Sequence, residues 1–325
     1  MRAADRRTPP PAPPCPHAIG RRGALNALAA LLTLGTGSAT ARSRTDASPP
    51  LPRGSLMVIG GAEDRRGEKE VLRRFVAACT HADGRARPRI AVLPAASAFP
   101  EVSWERYDAA LADLGVAERV YLAVHSPADA ADPQWVQALR EVDGVLMGGG
   151  NQRRLVETVG GTPVARALHE GHMQGRLCIA GSSAGAAALS QHMLVGREVG
   201  TGLGLLPGAI VDQHFTERRR LPRLAAAVTA RPGLLGIGVD EDTALIVHAQ
   251  GFEVVGRASV TLVHAAGDAE QGTTAVDPGD AALPAGVQLL RLPAGSAHEP
   301  TGSRRDPRVQ RLLAQALRRP AARSA

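Results

Sequence analysis

From residue 56 onward, short apolar runs alternate with longer amphipathic stretches. Leu56-Met57-Val58-Ile59, Ile90-Ala91-Val92-Leu93 and residues 120–124, 145–147, 177–180 and 209–211 predict strands. Residues 68–79, 103–114, 133–142, 152–175 and 184–193 predict helices between and after them. That rhythm predicts a doubly wound, mostly parallel sheet with helices on both faces. After Gly233 the text turns β-rich, at 234–239, 243–248, 252–255 and 259–263, which predicts a run of hairpins closing the domain. Residues 277–286 predict a loop, and 309–317 a helical patch in a loosely held tail.

Several predicted strands end in glycine or a charged cluster, and open α/β sheets bind ligands beyond their strands' carboxyl ends. Gly181-Ser182-Ser183-Ala184-Gly185 follows one such strand and precedes an Ala-rich helical stretch. It fits a nucleophile elbow with Ser183 at the tip and the Ala184 amide available to a developing oxyanion. It equally fits a glycine-flanked loop with an N-cap serine, because G-x-S-x-G recurs by chance. A base is offered by His214 in Asp212-Gln213-His214-Phe215, again just past a predicted strand. Asp240-Glu241-Asp242, after the run 237–239, supplies three carboxylates that can orient an imidazole, or a solvated acidic turn. Gly200-Thr201-Gly202-Leu203-Gly204 neither follows a strand nor opens a helix, so it reads as a turn.

Only 2% of the 325 residues are aromatic, so Val, Leu, Ile and Ala fill the core and an aromatic platform for nucleic-acid bases is excluded. The net charge of +7 sits at the ends. Residues 1–41 carry +4 (Arg2, Arg6, Arg7, Arg21 and Arg22 against Asp5), and residues 303–325 carry +6 (Arg304, Arg305, Arg308, Arg311, Arg318, Arg319 and Arg323 against Asp306). The middle of the chain is therefore net acidic, which argues against a nucleic-acid groove across the fold. Arg21-Arg22, an apolar run at 24–34 and Ala39-Thr40-Ala41 resemble a twin-arginine export leader cleaved after Ala41. Its loss removes Cys15 and leaves Cys79 and Cys178, each in an apolar run and read as a buried free thiol. The expected organisation is a leader at 1–41, a linker at 42–54, a catalytic domain at 55–302 and an arginine-rich tail at 303–325.

The ordered series Gly60-Gly61-Ala62-Glu63-Asp64, Gly148-Gly149-Gly150-Asn151-Gln152, Gly181-Ser182-Ser183-Ala184-Gly185, Asp212-Gln213-His214-Phe215 with Arg218, Arg220 and Arg223, and Asp240-Glu241-Asp242-Thr243-Ala244 resembles the cyanophycinase family. The resemblance covers roughly residues 55–265. It implies a serine-type exopeptidase with a flavodoxin-like, class I glutamine amidotransferase-like three-layer sandwich: a mostly parallel sheet and a β-rich C-terminal part. It also implies a triad of Ser183, His214 and Glu241, and the release of β-aspartyl-arginine dipeptides from cyanophycin. Arg218 and Arg223 are then expected to hold substrate carboxylates, Asp212 and Gln213 the substrate guanidinium, and Gln152 the substrate backbone. Gly149 or Gly150 would join Ala184 as oxyanion donors. Ser182 is expected to be replaceable by alanine without loss of activity.

No metal or cofactor is expected, since His169-Glu170-Gly171-His172 lacks the H-E-x-x-H order and a third ligand. No nucleic acid and, once the leader is removed, no membrane is expected as partner; related proteins suggest a homodimer. An exported scavenging enzyme, periplasmic or extracellular, is the expectation. The rivals are a peptidase for short aspartyl or isoaspartyl peptides and an exported binding protein without turnover.

Overall fold

The computed structural model describes residues 54–80, 87–248, 251–265, 284–298 and 307–318. The predicted leader, the linker up to residue 53 and most of the 277–286 loop lie outside the described residues. Five buried or half-buried strands, β1 (Leu56–Ile59), β2 (Arg89–Leu93), β3 (Glu118–Tyr121), β4 (Gly144–Met147) and β5 (Cys178–Ser182), run parallel in the order β1-β5-β4-β2-β3. Helices α1 (Glu70–Cys79) and α2 (Pro100–Asp113) cover one face, burying Leu72, Phe75, Tyr107 and Leu111 against Ile59, Ile90, Val92 and Leu146. α3 (Pro133–Glu141), α4 (Gln152–Val159), α5 (Pro163–Met173) and α6 (Ala184–Leu189) cover the other.

β6 (His192–Val195) and β7 (Glu198–Thr201) form a hairpin, and β8 (Ala209–Gln213), α7 (Leu221–Thr229) and β9 (Leu235–Val239) follow. The chain then passes through β10 (Thr243–His248), β11 (Gly251–Gly256), β12 (Ser259–Ala265), β13 (Val287–Pro293), β14 (Ala297–His298) and α8 (Pro307–Ala316). β10, β11 and β14 extend the large sheet antiparallel beyond β1, making it eight-stranded. β13-β12-β9-β8 form a second, four-stranded sheet. It packs into the same core as α3 to α6, and α7 covers its other face. The result is the expected α/β sandwich with a mostly parallel principal sheet.

Four local differences from the expected pattern have clear causes. The helix anticipated over 152–175 is two, because Gly160-Gly161 interrupts it and Thr162, accepting from Ala165 N at 3.4 Å ahead of Pro163, caps a new start. The helix after Ser183 stops at Leu189, where Ser190 Oγ donates to Ala187 O at 2.6 Å and the chain turns into β6. Strand 209–211 does not join the large sheet but pairs parallel with β9. The tail helix is docked, burying Val309, Leu313 and Ala316 against β9 and β11, while Gly208 N donates to Ala316 O at 2.9 Å.

Candidate active site

Three chain segments converge beyond the strand ends. β5 turns into α6 through Ser183, whose φ of 51° is a conformation that non-glycine residues keep only where their surroundings enforce it. The surroundings are tight backbone: a methyl group on Gly181 would stand 2.4 Å from Gly185 O, and one on Gly185 2.3 Å from Met147 O. Ser183 N donates to Ile59 O at 3.0 Å, and Ser183 Oγ lies 2.8 Å from His214 Nε2.

His214 follows β8, also at positive φ, and is held by its own amide donating to Gly60 O at 2.9 Å. Its Nδ1 stands 2.6 Å from Glu241 Oε1. A carboxylate at that distance accepts a hydrogen bond from Nδ1–H, which leaves Nε2 as the acceptor facing Ser183, the tautomer a general base requires. Gly61 at φ 98° packs against both groups: a methyl there would be 2.5 Å from His214 Cε1 and 3.0 Å from Ser183 Cβ.

The structure distinguishes the three clustered carboxylates. Asp240 is buried and accepts from Thr216 N, Ser259 N and Ser259 Oγ, at 3.0, 3.2 and 2.7 Å. Asp242 accepts from Asp64 N at 2.8 Å, and burial pushes its carboxyl above the usual range. Glu241, in the connection between β9 and β10, alone reaches the imidazole. Asp64 itself is held well below the usual carboxylate range by the amides of Lys69, Gly67 and Arg66.

A methyl group on Gly149 would stand 3.3 Å from Ser183 Cβ, whereas one on Gly150, at φ 138°, would strike Ala96 O. The Gly149-Gly150 peptide therefore runs past the serine. Among the described residues no backbone acceptor engages the amides of Gly149, Gly150 or Ala184. Such free N–H groups at a helix start suit a developing oxyanion.

The residues expected to hold substrate are arranged differently. Asp212 was anticipated as a partner for a substrate guanidinium. Its side chain is instead 0% exposed and already paired: Arg223 Nε donates to Oδ2 at 2.6 Å, Arg223 Nη2 donates to Oδ1, and Arg220 Nη1 donates to Oδ1 at 3.0 Å. A carboxylate buried beside two guanidiniums stays satisfied by them, so Asp212 anchors arginines rather than presenting itself. Arg220 also donates to Gln213 O at 2.6 Å, and Arg223 to Gly196 O at 3.1 Å. Gln213 is buried. Gln152 Nε2 donates to Leu194 O at 2.7 Å, so part of its amide ties α4 to β6. Arg218 is exposed and, with Arg197, Arg219, Arg220, Arg223 and Arg231, lines a cavity of about 770 Å³. His169 Nε2 lies 2.6 Å from Leu203 O.

One residue of the site carried no role in the sequence reading. Glu63 is buried; its Oε2 accepts from Ser182 Oγ at 2.6 Å, and its Oε1 from Tyr107 Oη at 2.6 Å and from Arg65 at 2.9 Å. The Arg65 guanidinium also lies 4.5 Å over the Tyr107 ring. Burial, and next the neighbouring carboxylate, push the Tyr107 hydroxyl far up, so it remains a donor. The sequence signal was present only as a carboxylate two residues after Gly60-Gly61.

With this geometry in view, comparison with known proteins is decisive: residues 56–255 match peptidase family S51. The chain belongs to that family. Among curated relatives of this S51 peptidase, a cyanophycinase of a Nostoc species is 35% identical over 235 residues, covering 69% of this chain and 78% of that protein. A cyanophycinase of Synechococcus elongatus is 38% identical over 223 residues, covering 65% and 68%. A solved structure of a peptidase from an acI-B1 actinobacterium superposes with a TM-score of 0.57 at 23% identity, covering 77% of this chain and 98% of the other, and supports the fold. The chain is thus a serine-type peptidase of family S51.

Proposed function

We propose that this S51 peptidase is a cyanophycinase: a serine exopeptidase that cleaves the aspartate backbone of cyanophycin and releases β-aspartyl-arginine dipeptides. The observation that carries the reading is the continuous hydrogen-bond chain Ser183–His214–Glu241, in a chain resembling proteins named for that reaction. Ser183 Oγ attacks the scissile carbonyl carbon as His214 Nε2 takes its proton, and Glu241 offsets the imidazolium charge. The oxyanion forms toward the amides of Ala184 and the Gly149-Gly150 peptide. His214 then protonates the leaving amine as the C–N bond breaks. A water, deprotonated by the same imidazole, hydrolyses the acyl-enzyme and restores Ser183.

Each cyanophycin unit bears a free α-carboxylate, which suits guanidinium forks. Arg218 is the exposed one, its amide donating to His214 O at 3.1 Å, and Arg220 and Arg223 are held by Asp212. Incubation of the protein with cyanophycin, with products identified by mass spectrometry, tests the reading. β-Aspartyl-arginine as the product is expected. Inert cyanophycin alongside rapid cleavage of short aspartyl or isoaspartyl peptides would replace it with the dipeptidase reading.

Export is part of the same proposal, supported by Arg21-Arg22, the apolar run at 24–34 and Ala39-Thr40-Ala41. Fractionation of the source cells and N-terminal sequencing should find a chain beginning at Arg42 outside the cytoplasm. A full-length chain confined to the cytoplasm would remove this part of the proposal.

A further inference from the structure

Ser182, the residue before the elbow tip, is 1% exposed, and its hydroxyl donates to Glu63 Oε2 at 2.6 Å. A buried carboxylate is costly unless donors satisfy it. Glu63 is satisfied from three parts of the fold: Arg65 in its own loop, Tyr107 on α2 and Ser182 at the end of β5. The next residue in the loop reaches the other side of the site. Asp64 N donates to Asp242 Oδ1 at 2.8 Å, and Asp242 N donates back to Gly61 O at 2.9 Å. Two consecutive residues thus hold the immediate neighbours of Ser183 and of Glu241, while Gly61 of the same loop packs on the His214 ring.

We propose that Glu63 is a positioning residue for the hydrolysis, acting through Ser182. The inference rests on the reading that Ser183, His214 and Glu241 perform the reaction. Ser183 occupies a sparsely populated backbone conformation, so the strand end has a lower-energy arrangement available to it unless it is held. The Glu63–Ser182 hydrogen bond is the side-chain anchor nearest that turn. Cutting it lets the turn relax and moves Ser183 Oγ away from the 2.8 Å contact with His214 Nε2. Displacements of about 1 Å at a reacting atom cost on the order of 100-fold in rate. Glu63 contacts no reacting atom, so the loss falls on kcat and not on KM. Asp64, through Asp242, fixes the segment that carries Glu241 in the same way.

The test uses the full chain with Glu63→Gln, Ser182→Ala and the double variant, measuring kcat and KM on cyanophycin, the rate of fluorophosphonate labelling, and Tm. Glu63→Gln and, against the expectation from sequence that Ser182 is dispensable, Ser182→Ala should each lower kcat and labelling rate by about 10-fold to 100-fold with KM nearly unchanged. The double variant should be no slower than Ser182→Ala alone, because one linkage has been cut twice. A folded Glu63→Gln or Ser182→Ala that keeps wild-type kcat and loses only Tm overturns the proposal, as does a double variant whose losses multiply. Should Glu63→Gln not fold, Ser182→Ala removes the same hydrogen bond from its other end and decides alone. Ser183→Ala separates the two levels of the argument. If it still hydrolyses substrate, the catalytic reading falls; if it is inert while Ser182→Ala matches wild type, only the positioning role falls.

Discussion

The hydroxyls of Ser182 and Ser183, one peptide bond apart, enter separate hydrogen-bond systems: Ser182 donates to Glu63 at 2.6 Å, and Ser183 meets His214 at 2.8 Å. Ser182 is the last residue of β5 and Ser183 the turn residue at positive φ, so the two side chains leave the backbone differently and only Ser183 meets the imidazole.

Ser183→Ala should therefore lower cyanophycin hydrolysis by on the order of 10⁴-fold or more, the scale on which a triad nucleophile is lost. Mass spectrometry of the fluorophosphonate-treated protein should place the adduct on Ser183. An adduct on Ser182 would reverse the assignment.

Gly61→Ala should be folded and nearly inactive. The added methyl would stand 2.5 Å from His214 Cε1 and 2.7 Å from Nε2, at a φ of 98° that alanine rarely adopts. Displacing the ring should cut kcat/KM by on the order of 100-fold with a near-native circular dichroism spectrum. Wild-type activity in this variant would contradict the packing of the loop on the imidazole.

Removing the carboxylate of Asp212 leaves Arg220 and Arg223 without the anion that orders them. Asp212→Ala should destabilise the protein by about 3 kcal/mol or more, read from urea unfolding, and raise KM more than it lowers kcat. Had Asp212 held the substrate guanidinium directly, KM would rise with stability unchanged.

Asp242 gives a pH signature. Burial raises its carboxyl above the ordinary value, so ionisation is harder in the folded chain than in the unfolded one. That group favours folding while protonated, and the contribution is lost as pH rises through its raised folded value. Asp242→Asn keeps an oxygen acceptor for Asp64 N and suits the positive φ of 47°. The variant should gain stability over wild type as pH rises through the raised folded value, with the gain vanishing in acid where the carboxyl is protonated in both states. A gain that persists into acid would point to backbone preference alone.

Much of this molecule could be read from hydrophobic pattern, and the parts that could not share a cause. The parallel strands and the Ser183 turn are local in sequence, fixed by apolar runs and flanking glycines. β8 was recognisable as a strand but not as a member of a second sheet, since Ala209-Ile210-Val211 is equally apolar in either place. The choice among Asp240, Glu241 and Asp242 depends on which carboxylates distant donors already occupy, Thr216 and Ser259 for one and Asp64 for another. The role of Glu63 was hidden for the same reason: two of its three partners, Tyr107 and Ser182, lie 44 and 119 residues away. A buried acid and a solvated one have the same letter, and only the tertiary donors tell them apart.

Ser183 hangs from the large sheet and His214 from the small one, while Glu241 sits in the crossing from β9 to β10 that links them. On the proposed mechanism, turnover is consequently a gauge of how the two sheets are registered. A slip between the layers too small to disturb either hydrogen-bond ladder would still part Ser183 Oγ from His214 Nε2. On denaturant titration, peptidase activity should disappear before far-UV ellipticity does, and substrate bound across the junction should narrow the gap between the two curves.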